Sequence, residues 1–270
     1  MDSMFARPGL SPTVAEKARV ELNETDQSRM TALQELRERL PERMAKKTDV
    51  ELKKFLRVAK LDVGKAHSRL VAYDKFRKEH SDMFENLTAE EILPVLEAGV
   101  LLVLKERDTE GRRIFIFNYS RWDTSKILLP DIQRAFLFLM EVLSLDEETQ
   151  VGGMYFLQNL ADYSFTHSYQ FTPALLRRAL VGVQTFPVRL GGGTFVNEPF
   201  YYSVLWKLCK PFMSEKLRDR THFCGSNVAA IHEHVNPDAL PEYFGGKANE
   251  EDIIQTLVEF VRSCPPLAAW

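Results

Sequence analysis

Between residues 100 and 196, short apolar runs alternate with longer stretches in which apolar residues recur every three or four positions, and few architectures accommodate that alternation. The compact runs at 100–104, 113–117, 154–157 and 194–196 are rich in Val, Ile, Phe and Leu. They are too short for helices and read as strands. The first two are joined by Asp108-Thr109-Glu110-Gly111, a turn sequence, and so form a strand-turn-strand unit. Between the others lie two helical patterns. Residues 131–145 place Ile132, Ala135, Phe136, Leu139, Met140 and Leu143 on one face, and a second helix, opened by Thr172-Pro173, carries Leu175, Leu176, Leu180 and Val183. Strands alternating with helices specify an α/β fold with a mostly parallel sheet covered by helices.

Upstream of Gly99 the texture is helical only. Ser11-Pro12 offers a cap with proline at the first helical position. Thr48 with Glu51 forms a capping box before Leu52, Phe55, Leu56 and Ala59. A further helix is expected over 64–76, and Thr88 with Glu91 opens a short one over Ile92, Leu93 and Leu96. The boundary between the helical part and the sheet part is expected near 81–86. The expected division is therefore a helical N-terminal lobe at 1–85, an α/β lobe at 86–262 and a tail at 263–270.

Composition bounds the function. With 270 residues, 45% of them hydrophobic, the chain buries a sizeable core. A net charge of −3 and a pI near 6.1 argue against nucleic acid as a partner, which calls for a strongly basic domain. Cys209, Cys224 and Cys264 are odd in number and show no CxxC spacing, which fits a reduced, cytoplasmic setting. The start, MDSMFARPGL, interrupts any apolar run with Asp2, Arg7 and Pro8, so neither a signal peptide nor a myristoylation site is expected. The most apolar helical stretch, 135–145, contains Glu141 and is far too short to span a bilayer. Any membrane contact is expected to be peripheral.

Residues 197–220 point to such a contact. Phe200, Tyr201, Val204, Leu205, Leu208 and Phe212 recur at helical offsets, and Lys207, Lys210, Lys216, Arg218 and Arg220 are interspersed or follow. From Arg189 to Arg220 six basic residues face three acidic ones, a local charge of +3 in a chain of −3. An apolar helix among cations suits an element that covers something greasy and touches an anionic surface. Pro211 disfavours helix at Lys210, so the helix ending near Cys209 is expected to meet the segment 214–220 at a break, and the triple glycine 191–193 is expected to add freedom on the other side of the strand entering it.

Catalytic motifs are not evident. Gly191-Gly192-Gly193 lacks the Lys-Ser/Thr ending and the following helix of a phosphate cradle. No GxSxG or HExxH occurs. His232 and His234 are two histidines without further ligands, and His167 reads as packed or capping. No catalytic residue, metal or cofactor is expected.

Several separated motifs resemble the CRAL-TRIO family, and within it the branch of tocopherol-transfer and retinaldehyde-binding proteins. They are Phe55-Leu56-Arg57, the stretch SFTHSYQFTP at 164–173, Phe186-Pro187, Val196-Asn197-Glu198-Pro199, Lys210-Pro211-Phe212 with Glu215-Lys216-Leu217, and the LPEYFGG at 240–246. The resemblance covers about residues 11–262, in order. It implies a helical lobe packed on a lipid-binding lobe, with an apolar pocket closed by a lid helix at 198–209 continuing to 217. It implies a carrier of a tocopherol, retinoid, carotenoid or similar hydrophobic molecule, and transfer at anionic, phosphoinositide-containing membranes. The alternatives are a lipid-regulated, membrane-recruited interaction module and a lipid-modifying enzyme.

Carried over position by position, the resemblance implies that Phe136, Met140, Phe156, Gln158, Tyr163, Phe165, Leu176, Leu180, Val183, Phe195, Val196, Phe200 and Leu205 line the pocket or lid, Gln158 or Tyr163 being the polar handle. Phe136 and Met140 stand where tocopherol-type members have small polar residues, which implies a narrower or differently shaped cavity. Arg189, Lys216 and Arg220, with Lys60, match the basic patch for phosphoinositide headgroups. Gly191 and Ala59 fall where further basic residues are expected, so the patch is thinner.

Overall fold

The computed structural model describes residues 9–264, and the readings made on residues 1–8 and on the last residues of the tail lie outside the described residues. The chain opens with α1 (Pro12–Leu22), α2 (Asp26–Glu38), α3 (Asp49–Val58), α4 (Val63–Glu79) and α5 (Ala89–Glu97). The Thr48–Glu51 capping box forms in both directions: the Glu51 amide donates to Thr48 Oγ1 over 3.3 Å, and the Thr48 amide donates to Glu51 Oε2 over 2.8 Å. At α5 only half of the expected box forms. Thr88 caps, but the Glu91 carboxylate is taken by Arg134. Ser11 makes no cap bond, leaving Pro12 to start α1.

The sheet holds β1 (Leu101–Arg107), β2 (Arg113–Asn118), β3 (Met154–Asn159), β4 (Leu190–Val196) and β5 (Thr221–Phe223), in that spatial order. β1 and β2 form the antiparallel hairpin, and the other pairs are parallel. The connections carry α6 (Leu129–Leu143), α7 (Glu147–Gly152), α8 (Phe165–Gln170), α9 (Pro173–Thr185), α10 (Tyr202–Cys209) and α11 (Glu215–Asp219), and α12 (Glu250–Ser263) closes the described chain. Parallel strands that follow one another in chain order put right-handed crossovers on one face. Accordingly α6, α9 and α10 all look onto the same sheet face.

One expectation about backbone freedom is corrected and one is met. The triple glycine is not a flexible point but part of β4, which begins at Leu190. Gly191 is the extra residue of a bulge against Met154 and Tyr155, and Gly192 has φ of +120°. A Cβ at Gly192 would stand 2.2 Å from the carbonyl oxygen of Arg220, so glycine there allows two backbones to approach. The helix does end at Cys209 with a break before Ser214, as expected from Pro211, although Lys210 itself is not driven out of the helical region. Lys210 is helical and Pro211 sits inside a single 3₁₀ turn (Lys210–Phe212), where its missing N–H needs no partner, and the chain becomes extended only at Met213.

The helical lobe is joined to the α/β lobe by a continuous apolar core and by buried charges. Arg57 on α3 grips both oxygens of Glu24, over 2.9 and 2.7 Å, and donates to Glu147 and Gln150 on α7, over 3.0 and 2.8 Å. Glu141 on α6 accepts from Lys54 over 3.3 Å, from Arg77 over 2.5 Å and from the Tyr73 hydroxyl.

Candidate functional site: an apolar cavity under a lid helix

Rows of the sheet form the floor of a cavity of about 260 Å³. Phe115, Phe156 and Gly193 are paired side by side across β2, β3 and β4, and two residues on, Phe117, Gln158 and Phe195 form the next row. Because side chains alternate along a strand, both rows face the same way. Gly193 contributes no side chain to its row, which leaves room above Phe156. Phe136 from α6 closes a triangle with Phe115 and Phe156, ring centres 5.6 to 5.8 Å apart. From α9 come Leu176, Leu180 and Val183, and from α10 Tyr202, Leu205, Trp206 and Cys209. Met213 and Leu217 complete the wall beyond the break.

The lining carries no ionised group. Burial pushes the Tyr119 and Tyr202 phenols well above their usual range. Burial raises the Cys209 thiol to about 11. Gln133 is fully engaged, donating to the Leu175 carbonyl over 3.2 Å and accepting from Arg178 over 2.8 Å. Gln158 makes no side-chain hydrogen bond among the described residues, so it is the polar group left for a guest.

α10 is apolar on two faces. Tyr202 and Leu205 are buried inward, whereas Val204 and Leu208 are exposed outward. The outward face continues into an aromatic strip: Phe200 is 91% exposed and packs edge-on against Tyr201, which stacks on Phe165 with ring centres 4.9 Å apart. Tyr169 is also exposed there.

A second, polar cavity of about 420 Å³ lies at the starts of β3, β4 and β5, lined by Lys17, Arg112, Arg189, Arg220, His222 and His234 with Glu21 and Glu110. Arg189 is committed internally, donating to Glu21 over 2.6 Å and to the Val151 carbonyl. Burial works against ionised Glu21, but Arg189 and Lys17 hold its carboxyl below the usual range. Outside this cavity, burial and the fields of Arg220, Lys60 and Arg189 lower the Lys216 ammonium. These four cations, scattered over 160 positions of sequence, thus share one locality.

Residues 97–246 match the family described as CRAL/TRIO domain. Clavesin-1 of Xenopus laevis is 36% identical over 245 residues, covering 88% of this chain and 74% of that one. Human Clavesin-2 is 35% identical over the same length, covering 75% of its own. The chain belongs to the CRAL-TRIO family. The solved structure of Sfh5 superposes with a TM-score of 0.57 at 15% identity, over 85% of this chain and 92% of that one, a likeness of fold alone. At the level of the family, this CRAL-TRIO chain is a lipid-binding transfer protein.

The cavity brings together Phe136, Phe156, Gln158, Leu176, Leu180, Val183, Phe195 and Leu205. Five other expected lining residues lie elsewhere in the CRAL-TRIO lobe. Met140, one turn beyond Phe136, packs instead with Phe76, Met83 and Phe186. Tyr163 is buried with its hydroxyl 2.9 Å from Ser168 Oγ, so it offers no free handle. Val196 is fully buried and follows Phe195, so strand alternation turns it to the opposite face. Phe165 and Phe200 are on the outer surface, since α10 starts only at Tyr202 and leaves Phe200 in the turn before it.

Residues the sequence did not single out include Phe115, Phe117, Tyr119, Trp206 and Met213 in the cavity, and Lys17, Arg112 and His222 in the polar one. For Phe115 and Phe117 the signal was available, as alternate positions of an expected strand. For Arg112 it was not: a Cβ at Gly191 would stand 2.5 Å from Arg112 Cδ, so a cation just before β2 fills the space that a side chain on β4 would take. His167 is packed and capping, its Nδ1 accepting from the Ser164 amide and its Nε2 meeting the Trp122 carbonyl, each over 3.0 Å. Among the described residues no group of His, Cys, Asp or Glu is arranged to hold a metal.

Proposed function

We propose that the protein is a cytoplasmic carrier that holds one hydrophobic molecule, a tocopherol, retinoid, carotenoid or similar lipid, under α10 and transfers it at anionic, phosphoinositide-containing membranes. The observation that carries this reading is the cavity of aromatic and aliphatic side chains whose lining has no ionised group and one uncommitted amide, Gln158. Removing apolar surface from water there gains about 25 cal/mol per Å². A guest with one hydroxyl or carbonyl pairs with Gln158, whereas a carboxylate finds no counter-charge and stays in water. The same lining supports carriage over catalysis, since it presents no carboxylate, imidazole or amine to a bound lipid.

The outer surface supports the membrane step. Phe165, Tyr169, Phe200, Val204 and Leu208 are exposed on and beside the lid, and Lys207 and Lys210 lie among them. No helix among the described residues is long and apolar enough to cross a membrane, so this surface would work from the interface. Headgroup binding is assigned to Lys60, Lys216 and Arg220, with Arg189 as their neighbour. Displacement of a fluorescent retinoid or tocopherol analogue, with native mass spectrometry of the loaded protein, tests the reading. One guest per chain is expected, and folded protein that takes up neither analogue nor any extracted lipid overturns it.

A further inference from the structure

The clasp of the lid is a single side chain on α9. Gln184 Nε2 donates to the Phe212 carbonyl over 2.6 Å, and Gln184 Oε1 accepts from the Ser214 amide over 2.7 Å. The same Nε2 also donates to the Leu180 carbonyl over 2.9 Å, which fixes the carboxamide against its own helix. One amide thus holds the main chain on both sides of Met213, the extended residue where the lid segment breaks and whose side chain walls the cavity. Swinging the segment away from the cavity breaks both bonds together.

The backbone of Gln184 is held in turn by the helical lobe. Arg69 on α4 donates to the carbonyl oxygens of Gln184 and Phe186, over 2.7 and 3.0 Å. These carbonyls stand at the C-terminal end of α9, where the last turn of a helix has acceptors without intrahelical partners and a cation is favoured. α4 reaches them because Gly182 leaves room: a Cβ there would stand 2.7 Å from the Phe76 ring. Helical lobe, α9 end and lid break form one chain of contacts.

We infer that Gln184 is the positioning residue that latches the lid, and that Arg69 couples the latch to the N-terminal lobe. The inference rests on the carrier reading for its effect on lipid transfer, but not for its effect on the backbone. Without the clasp, the segment at 210–217 opens more often, and a guest leaves faster while the cavity that binds it is unchanged.

The test uses the full chain loaded with a fluorescent retinoid, with transfer to phosphatidylcholine vesicles as one readout and amide hydrogen exchange without ligand as the other. In Gln184→Met, which keeps the volume and loses both bonds, release and exchange of the Ser214 amide should each accelerate by about tenfold or more, and uptake should not slow. Ser214→Pro removes the amide donor together with the hydroxyl that caps α11 at Leu217, and Ser214→Ala, which loses the hydroxyl alone, is its control. The Ser214 backbone already has φ of −63° after an extended Met213, so the proline ring fits, and an acceleration in the same direction is expected of Ser214→Pro. Arg69→Met should accelerate release by about threefold in the native background and hardly at all beside Gln184→Met, the non-additivity of residues acting in series.

Unchanged Ser214 exchange in Gln184→Met overturns the clasp. Additive effects of Arg69→Met and Gln184→Met overturn the coupling. Should Gln184→Met fail to fold, Ser214→Pro measured against Ser214→Ala decides by release, with native-like exchange outside 210–217 as the check on folding. A native chain that takes up no retinoid overturns the carrier reading, and exchange at Ser214 still decides the clasp.

Discussion

Helices α3 and α10 each pack one side onto the α/β lobe, by opposite means. α3 is held by ionised groups out of water, with Arg57 and Lys54 buried in a network of carboxylates and amides from α6, α7 and the loop before α2. α10 is held by apolar contact, with hydrogen bonds from the Tyr201 hydroxyl to the Tyr163 carbonyl and at Gln184 where its segment breaks. Buried ion pairs are directional, and pulling one partner away strands a charge. Apolar contact has no such orientation, and an outward face that is itself apolar can be re-covered by lipid. On the proposed carrier reading, the contrast suits α3 to a fixed joint and α10 to a moving part.

The contrast is broken most severely at Arg57. Arg57→Met removes four hydrogen bonds and leaves Glu24 and Glu147 without it, so a loss of about 3–5 kcal/mol is expected from chemical denaturation. An effect below about 1 kcal/mol, the size of a surface pair, would show that the joint is not what fixes the lobes.

Glu141 comes next and adds a pH signature. Burial opposes its ionisation, but Lys54 and Arg77, with the Tyr73 hydroxyl, hold the carboxyl below its usual range. A folded-state pKa below the unfolded one gives stability that is present above the unfolded value, near 4.3, and lost as pH falls through the folded one. Glu141→Gln should therefore cost about 2–4 kcal/mol at pH 7 and flatten the fall of stability under acid. Thermal unfolding between pH 7 and pH 3 measures both, and parallel acid slopes for the two proteins would refute the assignment.

Much of this contrast was legible in the sequence, for reasons particular to each element. The strands at 101, 113 and 154 were readable because compact runs of Val, Ile and Phe have few alternatives, and the Thr48 cap because both halves of its box are local. The buried network was not readable. Lys54, Arg57 and Glu141 look like solvated charges until helices separated by some 90 positions meet. The helix expected at 198–209 is found at 202–209, and that later start sends Phe165 and Phe200 outward and Tyr202 inward. Val196 was misread for a similar reason, because alternation along β4 could not be phased without locating the bulge at Gly191.

Charge reversal at the patch sharpens the other half of the comparison. Lys60, Lys216 and Arg220 sit near one another, and Lys216 and Arg220 take no part in the buried network around Arg57 and Glu141, so replacing these two by Glu should leave stability within about 0.5 kcal/mol. Binding to vesicles containing phosphoinositide should weaken by on the order of 1 kcal/mol per charge removed at low salt, less at higher salt. Cosedimentation measures it. Equal binding by variant and native chains would make these residues a solvated face.

The smallest effect on the fold is expected on the outer surface of the lid, and there the two regions are most cleanly separated. Phe200 is almost wholly exposed and touches only the edge of Tyr201, so Phe200→Ser removes little that folding has buried, and its stability should stay within about 0.5 kcal/mol of the native chain. Guest affinity should also hold, since Phe200 is no part of the cavity lining. At a bilayer the same ring has its full surface still to bury, a gain of about 1.5–3 kcal/mol that serine forgoes. Vesicle binding should therefore weaken roughly tenfold or more with no shift in the unfolding midpoint. Unlike the charge reversals, this loss should persist at high salt, because apolar transfer is not screened. A loss that disappears with salt would mean that the lid meets the membrane by charge alone, with its aromatic strip left in water.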